Sequence, residues 1–197
     1  MSPSPHQTFL WLIVMALLTA CASPPSHFYT LSASHDAPVG PAFSATIVVG
    51  PVSIPDSVNR PEMVVQVGPN QVALDEFNRW ASPLKSEIQR VIIQNLTGLL
   101  GTPTVFRYPQ GPVTSPDFRV EIEVLRFDSS LGSVASIDAI WTVHGKSKDN
   151  VTTGRTTTLE TPRDTSYQAL AAAHSRALHT VSRDVAEAIL VREGGAR

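Results

Sequence analysis

The chain has 197 residues, 42% hydrophobic and 16% charged, and its 15 Lys and Arg nearly balance 17 Asp and Glu for a formal net charge of -2. That balance argues against a nucleic-acid partner, which needs clustered cations. The single cysteine leaves no intramolecular disulfide, so the fold relies on packing, and the length suits one domain with a substantial core.

Phe9 to Leu18 is an uninterrupted apolar block. It is too short to span a bilayer, which takes about 20 apolar residues, but suits the hydrophobic region of an export signal. The segment before it, Met1 to Thr8, has no Lys or Arg, so only the free amine supplies positive charge there. Leu18-Thr19-Ala20-Cys21 follows and resembles the bacterial lipobox. By that resemblance residues 1–20 are removed, and Cys21 becomes the first residue, acylated on its sulfur and its amine. Several acyl chains together hold a protein to a membrane where one is marginal. A free thiol and an intermolecular disulfide are the competing fates, and the position directly after the signal core favours lipid attachment. Ala22 is not the Asp that retains many such proteins at the inner membrane, so the resemblance implies the outer membrane, with the domain facing the periplasm.

Ala22 to His27 is rich in Pro and Ser and reads as a tether. Phe28 to Leu31 predicts a short edge strand or docked arm. Thr46 to Ile54 is a β-branched strand broken by Gly50-Pro51, which predicts a bend or an edge position. Residues 62–75, turning at Gly68-Pro69-Asn70, predict a hairpin. Ser82-Pro83 predicts a capped helix start with Pro at the first helical position. Leu84, Ile88, Val91, Ile92, Leu96 and Leu99 then share one face until Gly101. A strand over 104–108 and a loop over 109–116 come next. Phe118, Val120, Ile122 and Val124 alternate with charged residues, and the parity then slips to Leu125 and Phe127, which predicts a bulge. The strands at 137–144 and 151–159 complete a meander. Thr165 and Gln168 have capping-box spacing before a final helix with a narrow stripe of Leu170, Ala177, Val181, Val185, Ala188 and Ile189.

These elements predict an α+β fold: a mostly antiparallel or mixed sheet with two main helices, about 83–100 and 166–191, packed on it. The expected organisation is a signal peptide over 1–20, the lipidated Cys21 with its tether and arm strand over 21–44, a single domain over 45–192, and a frayed tail over 193–197.

Catalytic constellations are sparse. His174 and His179 are five residues apart, about 140° around a helix, so they read as surface or rim histidines, with no metal or cofactor expected. Glu121 and Glu123 share a strand face beside Arg119 and read as a solvated, charge-balanced surface. Phe77 and Trp80 flank Arg79 just before the first helix, either as interface anchors or as plugs at the end of the core.

Phe28-Tyr29-Thr30-Leu31, Val49-Gly50-Pro51-Val52-Ser53-Ile54-Pro55, Asn59-Arg60-Pro61-Glu62-Met63-Val64, Asn70, Glu76 to Leu84 and the Tyr167 to Ile189 helix, in this order, are similar to the PqiC/YmbA-type auxiliary lipoproteins of ABC-type, MCE-linked transport systems. Ser57-Val58 departs from the aromatic-Leu pair common there. The resemblance implies an α+β fold without enzymatic activity and an outer-membrane lipoprotein. Its partner would be an inner-membrane-anchored MCE protein that carries lipids or other hydrophobic molecules across the envelope. A ring-shaped homo-oligomer fits such a partner. Arg60, Pro61, Asn70, Phe77, Trp80 and Pro83 are the expected contact surface or its support. The alternative is a lipoprotein that itself binds a lipid or small hydrophobic ligand, which would need an apolar pocket of several hundred cubic ångströms.

Overall fold

The computed structural model describes residues 24–34, 37–39, 43–109, 113, 115–147 and 150–194. Cys21, the leader and residues 195–197 lie outside them. The strands are β1 (His27–Tyr29), β2 (Ile47–Ser53), β3 (Glu62–Gly68), β4 (Gln71–Trp80), β5 (Val105–Arg107), β6 (Phe118–Ser130), β7 (Val134–Gly145) and β8 (Val151–Glu160). The helices are α1 (Leu84–Leu100) and α2 (Tyr167–Gly194). The expected α+β class is borne out, with the strands divided between a five-stranded sheet, β5-β2-β6-β7-β8, and a three-stranded sheet, β1-β4-β3.

The large sheet is mixed. β2 runs parallel to both β5 and β6, whereas β6, β7 and β8 form the expected antiparallel meander. Alternation puts Ile47, Val49, Val120, Ile122, Ala139, Trp141 and Val143 on one face. Both helices cover that face: α1 lies over β2 and β5, and α2 over β7 and β8. The opposite face carries polar pairs, among them Asp138 forked by Arg155 at 2.8 and 2.6 Å. The Arg155 guanidinium holds the Asp138 carboxyl below its ordinary pKa.

Local expectations need four corrections, while the bend expected at Gly50-Pro51 is present: β2 lies between β5 and β6 from Ile47 to Val49 and beyond the bend pairs with β6 alone. The register to β6 shifts between Val49 and Val52, and Gly50 takes a φ of 124° that favours glycine. The bulge in β6 is present between Val124 and Arg126, but Leu125 faces solvent and only Phe127 returns to the core. A bulge adds one unpaired residue on the outer side, so Leu125 and Arg126 both point out. α1 begins at Leu84, with Pro83 as the flanking residue and no side-chain cap. The Pro83 carbonyl accepts from the Ser86 and Glu87 amides. In α2 the cap falls one residue later than the Thr165 spacing implied, because the Ala169 amide donates to Ser166 Oγ at 3.1 Å. The apolar stripe of α2 is broad, adding Ala173, Leu178 and Ala186, since the helix is wedged between the sheet and α1.

The C-terminus of α1 closes as expected, with Gly101 left-handed at φ 60° and the Thr102 amide returning to the Thr97 carbonyl. The small sheet closes the end of the core where both helices begin. Trp80 meets Phe127 edge-on at 6.2 Å, and Tyr29 leans on Tyr167 at 6.0 Å.

Candidate functional site

The small sheet begins with the hairpin expected at 62–75, but β4 continues to Trp80, so both aromatics belong to a strand. The register explains their different fates. Met63 pairs with Asp75 while Glu62 pairs with Arg79, so β4 holds three extra residues between those points. Asp75 ties that bulge together. Its carboxylate accepts from the Phe77 amide at 2.9 Å, the Asn78 amide at 3.0 Å and Asn78 Nδ2 at 3.0 Å. Burial pushes the Asp75 carboxyl up, but hydrogen bonds from Tyr167, Asn78 and these amides outweigh it and hold it below its ordinary value. Burial, with Asp75 beside it, drives the Tyr167 hydroxyl well above its own. Tyr29 completes the cluster by donating to Asn78 Oδ1 at 2.7 Å. The bulge leaves Phe77 exposed, whereas Trp80 returns inward at 5% exposure.

Of the six residues expected at a contact surface, four share one corner. Pro61 is exposed and accepts the Trp80 amide on its carbonyl at 2.8 Å. Pro83, also exposed, launches α1 three residues after Trp80. Trp80 is a plug beneath them: with Val58, Met63, Leu84 and Phe127 it lines a void of only about 10 Å³. Arg60 is half-buried, and its Nε is buried without a hydrogen-bond partner among the described residues. Val58, at the position of departure from the family pattern, is buried, while Ser57 is exposed. Asn70 stands apart at the hairpin turn and Phe77 in the bulge.

The other candidates separate cleanly. Glu121 and Glu123 do face out of the large sheet, and Glu121 has His144 Nε2 at 3.6 Å. His174 is a correction: it is fully buried. Its ring stacks on Phe127 at 3.9 Å and its Nε2 meets Ser129 Oγ at 2.7 Å. Burial lowers its pKa to about 3, so it is neutral. Helical spacing could not reveal this, because the breadth of the covered stripe on α2 depends on α1. No group of three or more His, Cys, Asp or Glu with metal-binding geometry occurs among the described residues. A groove of about 1090 Å³ beside β1 and the start of α2 is lined by Arg163, Asp164, Arg176 and His179 as well as Phe28 and small residues. It is open and half polar.

Sequence reading missed Asp75, Tyr29, Tyr167 and Ser129 as structural partners. Only Asp75 carried a local signal, since Asp binds backbone amides two and three residues ahead of it in turns.

Among the solved structures similar to this chain, two illustrate the shared architecture. A crystal structure of an uncharacterized protein superposes with a TM-score of 0.69 at 17% identity, covering 84% of this chain and 99% of that one. Protein XCC0632 from Xanthomonas campestris, of the family DUF330, superposes with a TM-score of 0.71 at 20% identity, covering 86% and 98%. At these identities the likeness is one of fold. No curated protein matches the chain. The family model for the ABC-type transport auxiliary lipoprotein component matches residues 29–186, and the chain belongs to that family.

Proposed function

We propose that this chain is an acyl-anchored lipoprotein of the outer membrane. Its periplasmic domain docks an MCE-type protein and thereby serves, without catalysis, a transport system for lipids or other hydrophobic compounds. Membership of the auxiliary lipoprotein family over residues 29–186 carries this reading. The lipobox-like Leu18-Thr19-Ala20-Cys21 just ahead of the matched span supports the anchor. Tethering to a surface raises the effective concentration of a partner that reaches it.

The corner of Arg60, Pro61 and Pro83 is the proposed contact, with Trp80 as its support. An Arg beside prolines over a buried aromatic gives rigid, partly apolar surface, as interface hot spots do. The open, half-polar groove beside β1 favours docking over an enclosed ligand pocket.

Three measurements test the reading. The mass of the native protein should show cleavage before Cys21 and acyl chains upon it; an unmodified thiol ends the anchor. Arg60→Glu, at normal lipoprotein levels, should lower recovery of the co-encoded MCE protein in pull-downs at least tenfold, while unchanged recovery removes the corner. Sedimentation of the acyl-free domain should reveal a ring-sized oligomer, and monomer alone at high concentration counts against a ring.

A further inference from the structure

Beyond the corner, the small sheet has an outer face that none of the described residues covers. Glu62, Val64 and Gln66 alternate on β3 and share that face with their register partners Arg79, Leu74 and Val72 on β4. Phe28 on β1 is in register with Arg79 and joins them. Phe28 is 63% exposed, Val72 54% and Leu74 47%. Counted along β3, their rows lie about 7 Å apart, so the three form a strip about 14 Å long. Past the strip, Val67 is also exposed, on the other side of the ribbon. From Met63 to Leu74 there is no Asp, Glu, Lys, Arg or His. Arg79, on this face among the described residues, is paired with Glu62 at 3.1 Å.

We infer that this strip, Phe28 with Leu74 and Val72, rests on the lipid leaflet that holds the anchor. The inference rests on acylation of Cys21 as proposed above, and chain length supplies its argument. Phe28 follows Cys21 by seven residues. Even fully extended, those residues span roughly 25 Å. The sheet that exposes the strip is therefore the part of the fold leashed shortest to the membrane. A strip whose own exposed side chains are apolar, beside an Arg79 already paired with Glu62, suits the interface of a zwitterionic leaflet, where apolar burial rather than attraction to anionic headgroups drives contact. So small a strip binds weakly alone, and the leash makes the contact persistent. The Arg60 corner, at the start of β3, remains available to a protein partner.

The test places an environment-sensitive fluorophore on Leu74→Cys. In one arm the full chain matures in cells, so that acylation blocks Cys21, and is reconstituted into phosphatidylethanolamine and phosphatidylcholine vesicles. In the other, the chain from residue 22 onward, which holds every core residue from Leu31 to Ile189, is held by an N-terminal histidine tag on nickel-chelating lipid. The same label on Glu123→Cys, on the bare face of the large sheet, is the reference. Lipid-borne quencher should dim the label at 74 at least twofold more than that at 123 in both arms. Adding phosphatidylglycerol or salt should leave the ratio unchanged, and Val72→Glu should abolish it. Equal quenching at the two positions overturns the inference. So does a label at 74 that is shielded only by added MCE protein, or only as protein concentration rises without vesicles, since a partner or a second copy then covers the strip. An unmodified Cys21 would overturn the anchor separately, and the nickel-lipid arm would still decide the strip.

Discussion

At the scale of single residues, His174 concentrates the consequences of burial. It has no exposure, a stacked Phe127 on one side and Ser129 on its Nε2. Its folded pKa of about 3 lies below the ordinary 6.5. As pH falls below 6.5 the unfolded chain therefore takes up a proton that the folded chain refuses, and stability drops by about 1.4 kcal/mol per pH unit down towards the folded value. Above 6.5 this residue contributes no pH dependence. The lowered carboxyl pKa values of Asp75, Asp117, Asp138 and Asp164 add losses only in the more acid range. Urea midpoints measured between pH 6.5 and 4.5 should thus slope steeply for the native chain and flatten for His174→Gln. The same slope in both would show that the imidazole is not the group responsible.

At the scale of elements, the arm after β1 shows how a segment with no strand partner is held. Leu31 is 1% exposed between the helices. Its amide donates to Glu87 Oε2 at 3.2 Å, and its carbonyl accepts from Arg90 at 2.6 Å. The Ser32 amide donates to Ser175 Oγ at 3.0 Å and the Ser34 amide to Asn95 Oδ1 at 2.9 Å. Side chains of both helices thus replace the ladder that a strand would supply. Asn95 also reaches Ser182 Oγ at 3.1 Å, which links α1 to α2 beneath the arm. Truncating the arm's plug, Leu31→Ala, should cost roughly 2–5 kcal/mol in urea unfolding; a cost below 1 kcal/mol would mean that the arm is not part of the cooperative core.

For the whole molecule, the two sheets share one buried cluster, in which Trp80 of the small sheet meets Phe127 of the large one. One continuous core implies one transition. In the chain from residue 22 onward, Trp80→Phe leaves Trp141 to report and Trp141→Phe leaves Trp80. In each variant the tryptophan signal and the far-ultraviolet circular dichroism should melt together. An earlier transition for Trp80 alone would make the small sheet a separate unit. That matters for the proposed function, because the proposed corner and strip both adjoin or belong to the small sheet. Each works only if it is rigidly joined to the helices it closes.

The sequence by itself determined the fold class, the first helix and its Gly101 stop though not its starting residue or cap, the hairpin and the meander, because periodicity, glycine stops and turn residues act within a few positions of the chain. It also marked the family, through short ordered segments such as Asn59-Arg60-Pro61 and Trp80 to Leu84. Only the tertiary structure decided that the strands divide into two sheets, that β2 starts between β5 and β6, that Trp80 is a plug while Phe77 is not, and that His174 is buried. Each of those depends on which distant element arrives to cover a face or shift a register, and no local pattern encodes that arrival. The lipid-facing strip belongs to the same class, since Phe28, Leu74 and Val72 become neighbours only when β1 pairs with β4.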